Sequence, residues 1–180
     1  KDPVTGEILG YEAQFVGKGE LVRGESLEDT PNAKGGFTSE YVPATVDILS
    51  TREEVRANDR LLPTPARGFL SYVPRAPEQP VSARVVSIYG GSAFANAAQN
   101  QVVAINLGRQ DGIESGHVLQ LLTGGQRIKD TTDEAKSMIK LPSEKNGMAM
   151  VFRTFDRVSY ALILSVRNQV RVGDTLVNPR

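Results

Sequence analysis

The hydrophobic positions of this chain fall in short runs with the period of a β-strand rather than of a helix. Ile8 to Val16 alternates, with Leu9, Tyr11, Ala13 and Phe15 on one face and Glu12 and Gln14 on the other, which predicts a half-buried strand. Further strands are predicted at Glu20–Arg23, Val46–Leu49, Arg84–Tyr89, Gln101–Ile105, His117–Leu122, Met148–Phe155 and Ala161–Val166. Gly90–Gln99 is rich in Ala and other small residues but too short to specify a helix. Short strands separated by glycine turns predict a small barrel or sandwich. The inward set expected for its core is Val86, Ile88, Val103, Ile105, Val118, Leu121, Met150, Phe152, Leu162, Leu164 and Val170.

The last of these patterns occurs twice. Val46–Thr64 reads VDILSTREEVRANDRLLPT and Ala161–Pro179 reads ALILSVRNQVRVGDTLVNP. Laid over each other without a gap, they place Ile48 on Ile163, Leu49 on Leu164, Ser50 on Ser165, Arg52 on Arg167, Val55 on Val170, Arg56 on Arg171, Asp59 on Asp174 and Leu61 on Leu176. An internal repeat of this kind predicts two copies of one β-rich unit. Asn58 and Gly173 share a slot, and these residue types tolerate positive φ. The aspartates that follow have side chains suited to capping nearby backbone N–H groups. Each copy then closes with a short strand (Arg60–Leu62, Thr175–Val177) and a proline. Asp59 and Asp174 are therefore read as turn residues and not as catalytic or metal-binding carboxylates.

The prolines at 63, 65, 74, 77 and 80 mark the boundary between the copies, since a proline-rich stretch favours extended, semi-rigid chain. The expected organisation is a first β module over residues 1–65, a linker over 66–81 and a second module over 82–180. Within the linker, Phe69, Tyr72 and Val73 are too apolar for a free tether and are expected to dock on a neighbouring module. Gly24–Pro43 (GESLEDTPNAKGGFTSEYVP) lacks periodicity and reads as a long irregular excursion, and Lys129–Glu144 as a charged one. Glycines 108, 112 and 116 around Ile113 predict successive tight turns.

Little in the sequence assembles a reaction centre. His117 is the only histidine and sits at the start of an apolar strand, where a structural role is expected. No Gly-x-Ser-x-Gly elbow surrounds a serine. Gly124-Gly125-Gln126 reads as a hairpin turn, and Gly17-Lys18-Gly19 and Gly90-Gly91-Ser92 lie between predicted strands rather than before a helix, so neither is a phosphate loop. Asp130, Asp133 and Glu134 do not have the spacing of a calcium loop and read as a solvated acidic loop. Glu53 and Glu54 are adjacent and face opposite ways on a strand, whereas acid–base chemistry needs two carboxyls facing one cleft. No catalytic, cofactor or metal residue is assigned, and the ligand-binding residues are left unknown. Tyr41, Tyr72, Tyr89 and Phe94 lie in or beside loops and are the aromatic residues available to a glycan.

Composition narrows the partners. Lys plus Arg and Asp plus Glu both number 21, and the neutral balance disfavours a nucleic-acid surface and an electrostatic membrane anchor. The absence of cysteine removes disulfides, thiolate catalysis and zinc–thiolate sites. No run of about 18 apolar residues offers a membrane-spanning helix. Lys1-Asp2-Pro3 has the character of neither a signal peptide nor a natural start, so the chain is expected to be a fragment whose targeting signal lies outside it.

Several phrases together carry a family resemblance: Asp2-Pro3-x-Thr5-Gly6-Glu7-x-Leu9-Gly10-Tyr11-Glu12-Ala13, Asn58-Asp59-Arg60-Leu61-x-Pro63 and Val86-Ser87-x-Tyr89-Gly90-Gly91. To these are added Asn100-Gln101-Val102-Val103-Ala104-Ile105-Asn106, Asp111-Gly112-Ile113-Glu114-x-Gly116-His117-Val118-Leu119, Leu141-Pro142, Met150-Val151-Phe152-Arg153-x-Phe155 and Gly173-Asp174-x-Leu176. With these the chain resembles, over nearly its whole length, the C-terminal region of LysM-domain-containing peptidoglycan-binding proteins of proteobacteria. It departs from that pattern at Gly24–Pro43, which is longer than in the family. The resemblance implies a periplasmic or secreted cell-envelope protein with a signal peptide and a LysM module upstream. It also implies that the first module begins before Lys1. LysM is the part that binds N-acetylglucosamine-containing glycan, and its signature is absent here, so no glycan-binding residue transfers to this chain. The turns around Gly112 and Gly173 are also similar to the small C-terminal β-barrel of a flagellar assembly protein.

The expectation is thus an all-β protein of two small barrel-like modules, SH3-like or sandwich-like, related by an internal repeat, the first truncated at its N-terminus. Its expected function is that of a non-catalytic binding or interaction module, reaching peptidoglycan through the absent LysM and offering a surface to an envelope protein partner. The alternative is a structural adaptor in an envelope or flagellar-type assembly with no glycan contact of its own. A third class, an enzyme acting on peptidoglycan, lacks a histidine in a catalytic setting, a thiol and a carboxylate pair.

Overall fold

Glycine turns and β-branched runs produce fourteen short strands in the computed structural model, which describes residues 1–31, 33, 35–64, 72–90, 96–132 and 137–179. In chain order they are β1 (Gly17–Arg23), β2 (Ser26–Pro31), β3 (Phe37–Val42), β4 (Thr45–Thr51), β5 (Ser82–Ile88), β6 (Asn96–Ala97), β7 (Val102–Ile105), β8 (Val118–Thr123), β9 (Arg127–Lys129), β10 (Met138–Lys140), β11 (Glu144–Thr154), β12 (Ser159–Val166), β13 (Val170–Arg171) and β14 (Thr175–Val177). One 3₁₀ turn, Arg109–Asp111, interrupts them, and there is no α-helix among the described residues. The chain divides into two compact units, Lys1–Glu12 with Gly68–Arg180 and Ala13–Arg67.

The larger unit is built on a closed antiparallel barrel of six strands, ordered β11-β12-β7-β5-β14-β8 and back to β11. Closure leaves no open edge among these strands. The interior is filled by Ala83, Val85, Val103, Ile105, Leu119, Leu121, Ala149, Val151, Ala161, Ile163 and Leu176, all essentially without solvent exposure. Ile88 and Val170 join them in the same cluster.

The expected core was therefore right at Ile88, Val103, Ile105, Leu121 and Val170, and one residue out of phase elsewhere. Val86, Val118, Met150, Phe152 and Leu162 are half-buried on the outer face, and Leu164 is exposed. Two physical reasons account for this. On β11 and β12 both faces are apolar, so alternation alone does not choose between them. A six-stranded barrel also has a narrow bore, which takes Ala149, Val151 and Ala161 and excludes the larger Met150, Phe152 and Leu162. On β5 a register shift between Val85 and Ser87 lets Val85 and Ile88, three residues apart, both point inward.

The glycine turns have the predicted conformations. Gly112 (φ 76) and Gly116 (φ 97) lie in the left-handed region that an L side chain resists. Asn58 (φ 80) and Gly173 (φ 99) do so at corresponding places, each followed by an aspartate that caps its own turn. Arg56 N–H donates to Asp59 Oδ2 and Arg171 N–H to Asp174 Oδ2, both at 2.8 Å.

Four segments differ from the sequence reading, the shortest being Arg60–Leu62, which forms no strand. Ile8–Val16 forms no strand: the first twelve residues belong to the unit containing the barrel, and the β structure of the first unit begins at Gly17. Gly24–Pro43 is not irregular, because β2 and β3 pair along their whole length as a hairpin turning at Gly35 (φ 79). Its side chains are nearly all exposed, so cross-strand pairs hold it rather than a core. Lys129–Glu144 likewise contains half of a small hairpin, β9 with β10.

The described part of the expected linker lies against the barrel. Tyr72 Oη donates to the Phe152 carbonyl, Arg75 bridges to His117 ahead of β8, and Asn178 Nδ2 donates to the Pro77 and Gln79 carbonyls at 3.0 Å each. Val73 remains exposed. Phe69 and the 65–71 stretch lie outside the described residues, as do Phe94, Asp133 and Glu134.

Candidate functional site

The outward turn of Val86 and Ser87, forced by the β5 register shift, forms one wall of a groove on the barrel's outer surface. The opposite walls are the Leu9–Glu12 segment and the Phe155–Val158 turn between β11 and β12, with Tyr160 at the base. The groove encloses about 490 Å³, within the range of roughly 300–1,000 Å³ usual for small-molecule sites.

Three polar links fix the N-terminal wall. Asp2 is buried, and its carboxylate accepts from the Val4 and Thr5 amides at 2.8 and 3.0 Å and from Asn106 Nδ2 at 2.7 Å. These hydrogen bonds to the ionised form hold its pKa down at about 2. Glu7 pairs with Arg157 across 2.7 Å, and Ser87 Oγ donates to Glu12 Oε2 at 3.1 Å. Held in this way, Tyr11 projects from the groove lip with 95% of its surface exposed.

Tyr160 is the centre of an aromatic cluster. Tyr89 meets it edge-on at 5.8 Å, Phe155 edge-on at 5.5 Å, and Phe152 stacks at 6.3 Å. The Arg153 guanidinium lies 5.3 Å over the Phe155 ring. Burial, and then the Glu12 carboxylate and Tyr89, push the Tyr160 phenol above its ordinary pKa, so it remains a neutral hydrogen-bond donor. The groove therefore offers flat aromatic surface beside carboxylates (Glu12, Asp156), a guanidinium (Arg157) and hydroxyls (Ser87, Tyr160). Such a set can hold a ligand with alternating apolar and hydroxylic faces.

The residues singled out from sequence do not converge here; Tyr89 packs edge-on against Tyr160 but does not line the groove. Tyr41 lies on β3, its hydroxyl donating to Glu25 at 2.6 Å, and Tyr72 is used in packing. His117 is buried, its Nδ1 accepting from the Glu114 amide at 3.2 Å within the turn. Burial, followed by the Arg75 charge, lowers its pKa, so it is a neutral structural residue. Gly125 is required because the Leu141–Pro142 backbone passes where a Cβ would stand, which accounts for the Gly-Gly-Gln turn. Gly17-Lys18-Gly19 opens β1 rather than lying between strands. Asp130 caps Thr132, and Glu53 and Glu54 take separate partners, Gln14 and Arg56. Among the described residues no group of three His, Asp or Glu is placed to hold a metal ion, and no helix is long and apolar enough to cross a membrane.

Tyr11, Phe155 and Tyr160 are the residues that sequence reasoning missed. Tyr11 was placed on a buried strand face, and Tyr160 carried no signal beyond an aromatic at the start of a strand. No family model and no curated protein matches the chain.

Proposed function

We propose that the chain is a non-catalytic binding module of a bacterial cell-envelope protein and that the groove beside Tyr160 takes a glycan of the peptidoglycan type. The observation that carries this reading is the juxtaposition of exposed Tyr11, part-exposed Phe155 and Tyr160, and the charged side chains of Glu12 and Arg157 around one groove. A pyranose ring presents axial C–H groups on one face, which lie on aromatic rings, and hydroxyls on its rim, which need planar acceptors and donors. The resemblance to the C-terminal region of LysM-containing proteins supports a place in the cell envelope, and the glycan itself rests on the groove alone. In this reading LysM supplies the main grip on the wall and the groove extends it.

Co-sedimentation of residues 1–180 with purified peptidoglycan sacculi tests this. Pelleting that soluble glycan strands compete away, and that falls in the Tyr11→Ala variant, is the expected result. Tyr11 makes little packing contact, so its removal leaves the fold intact. A protein that stays in the supernatant overturns the glycan reading. The adaptor reading then stands in its place, supported by the apolar surface that Leu21, Ile48, Leu49, Leu61 and Leu62 expose in the Ala13–Arg67 unit.

A further inference from the structure

The exposed surface of the Ala13–Arg67 unit has a specific form. Its β1–β4 hairpin repeats, pair for pair, the β11–β12 hairpin of the closed barrel. Gly17 faces Thr51 as Gly147 faces Val166, and Lys18 faces Ser50 as Met148 faces Ser165. A register shift follows in both. Gly19–Ile48 then answers Ala149–Ile163, Glu20–Asp47 answers Met150–Leu162, and Leu21–Val46 answers Val151–Ala161. A second shift precedes Arg23–Thr45, which answers Arg153–Tyr160.

The details agree as well. A Cβ on Gly17 would strike the Ser50 carbonyl, and one on Gly147 the Ser165 carbonyl. Arg52 N–H donates to the Val16 carbonyl at 2.8 Å, and Arg167 N–H to that of Asn146 at 2.7 Å. Two bulges, a close-approach glycine and an aspartate-capped turn at matching places are features of one fold, since strand pairing in general requires none of them. Between the paired strands, the β2–β3 hairpin stands where the barrel has the Phe155–Val158 turn.

The partners of the hairpin are what is missing. In the barrel, β8 pairs with the outer edge of β11 and β7 with that of β12. Among the described residues β1 and β4 pair only with each other. Val151, Ile163 and Leu176 are wholly buried, whereas their counterparts Leu21, Ile48 and Leu61 are 64, 58 and 73% exposed.

We propose that Ala13–Arg67 is the C-terminal half of a second six-stranded barrel, and that its open face seats a three-stranded β segment built like β5–β7–β8 and running into Lys1 in the same polypeptide. The order follows the closed barrel, where β5, β7 and β8 precede β11. A second copy does not fill the face, because each chain carries one β5–β7–β8 set and two hairpins of the β11–β12 kind.

The test joins a copy of Ala76–Asp130 directly to Lys1, the junction that keeps the spacing to Gly17 equal to that between Asp130 and its counterpart Gly147. A second version carries Gly19→Ala, Leu21→Val and Val46→Ala, giving the hairpin the inward residues of the complete barrel, so that misfit cannot cause failure. Val46→Ala also removes the Cγ1 that a Cβ at position 19 would strike first. Hydrogen exchange of β1 and β4 is compared with that of residues 1–180 alone. Exchange slowed about 100-fold or more in the second version, and returned to its original rate by Ile48→Asp while β11 and β12 stay protected, is the expected result. Unchanged exchange overturns the proposal. So does a dimer of residues 1–180 in which β1 and β4 are already protected, since the occupant would then be a second copy.

Discussion

Asp174 and Asp59 illustrate how one residue type at one turn has different weight in different surroundings. Each caps its own turn through the amide three residues earlier. Asp174 leads into β14, a barrel strand, so Asp174→Ala is expected to lower the barrel's unfolding free energy by about 1 kcal/mol, while Asp59→Ala leaves the barrel transition in urea unmoved. Gly147 is a sterner case. Its Cβ would meet the Ser165 carbonyl, so Gly147→Ala should cost about 1–3 kcal/mol, read from the same transition. Asp2 gives a pH signature. Its carboxyl is lowered from 3.8 to about 2 on folding, so its contribution is complete above pH 4 and disappears as pH falls from about 4 to about 2. The Asn106 side-chain amide resonances of the folded protein should shift with a midpoint at about pH 2, and Asp2→Asn should abolish the shift. At this scale the sequence was informative where a backbone conformation demands a residue type, as at Asn58, Gly112, Gly116 and Gly173. It was silent on Asp2, whose burial depends on Asn106 far along the chain.

At the scale of elements, alternation identified most strands but not always which side faces in. β12 is apolar on both faces, and the choice of Ala161 over Leu162 was settled by the width of the bore, a property of the closed barrel, with Ile163 following on the same face two residues on. Ile163→Ala should therefore cost about 2–5 kcal/mol, and Leu164→Ala should fall within about 0.5 kcal/mol, measured by urea unfolding. Equal costs would contradict the inward assignment. The β2–β3 hairpin was illegible for a related reason: it has no buried face, and its pairing rests on register alone. Likewise Leu9, Tyr11, Ala13 and Phe15 alternate as a strand would, but Asp2, Glu7 and Glu12 secure the first twelve residues to the barrel as irregular chain.

For the whole molecule, composition and periodicity were enough to give the all-β class, because that class needs only many short runs and glycine turns. The groove was not legible, because it is made by three segments distant in sequence: Leu9–Glu12, the β5 bulge and the Phe155–Tyr160 turn and strand. The same distance makes it testable as one site, since a ligand in the groove must touch all three. The most direct measurement is a ¹⁵N–¹H NMR titration of residues 1–180 with soluble peptidoglycan glycan strands. Shifts confined to Leu9–Glu12, Val86–Tyr89 and Phe155–Tyr160, and lost in the Tyr11→Ala variant, are predicted. Spectra that do not change with saturating glycan, or shifts that gather on β1 and β4 instead, would contradict the assignment of this groove as the binding site.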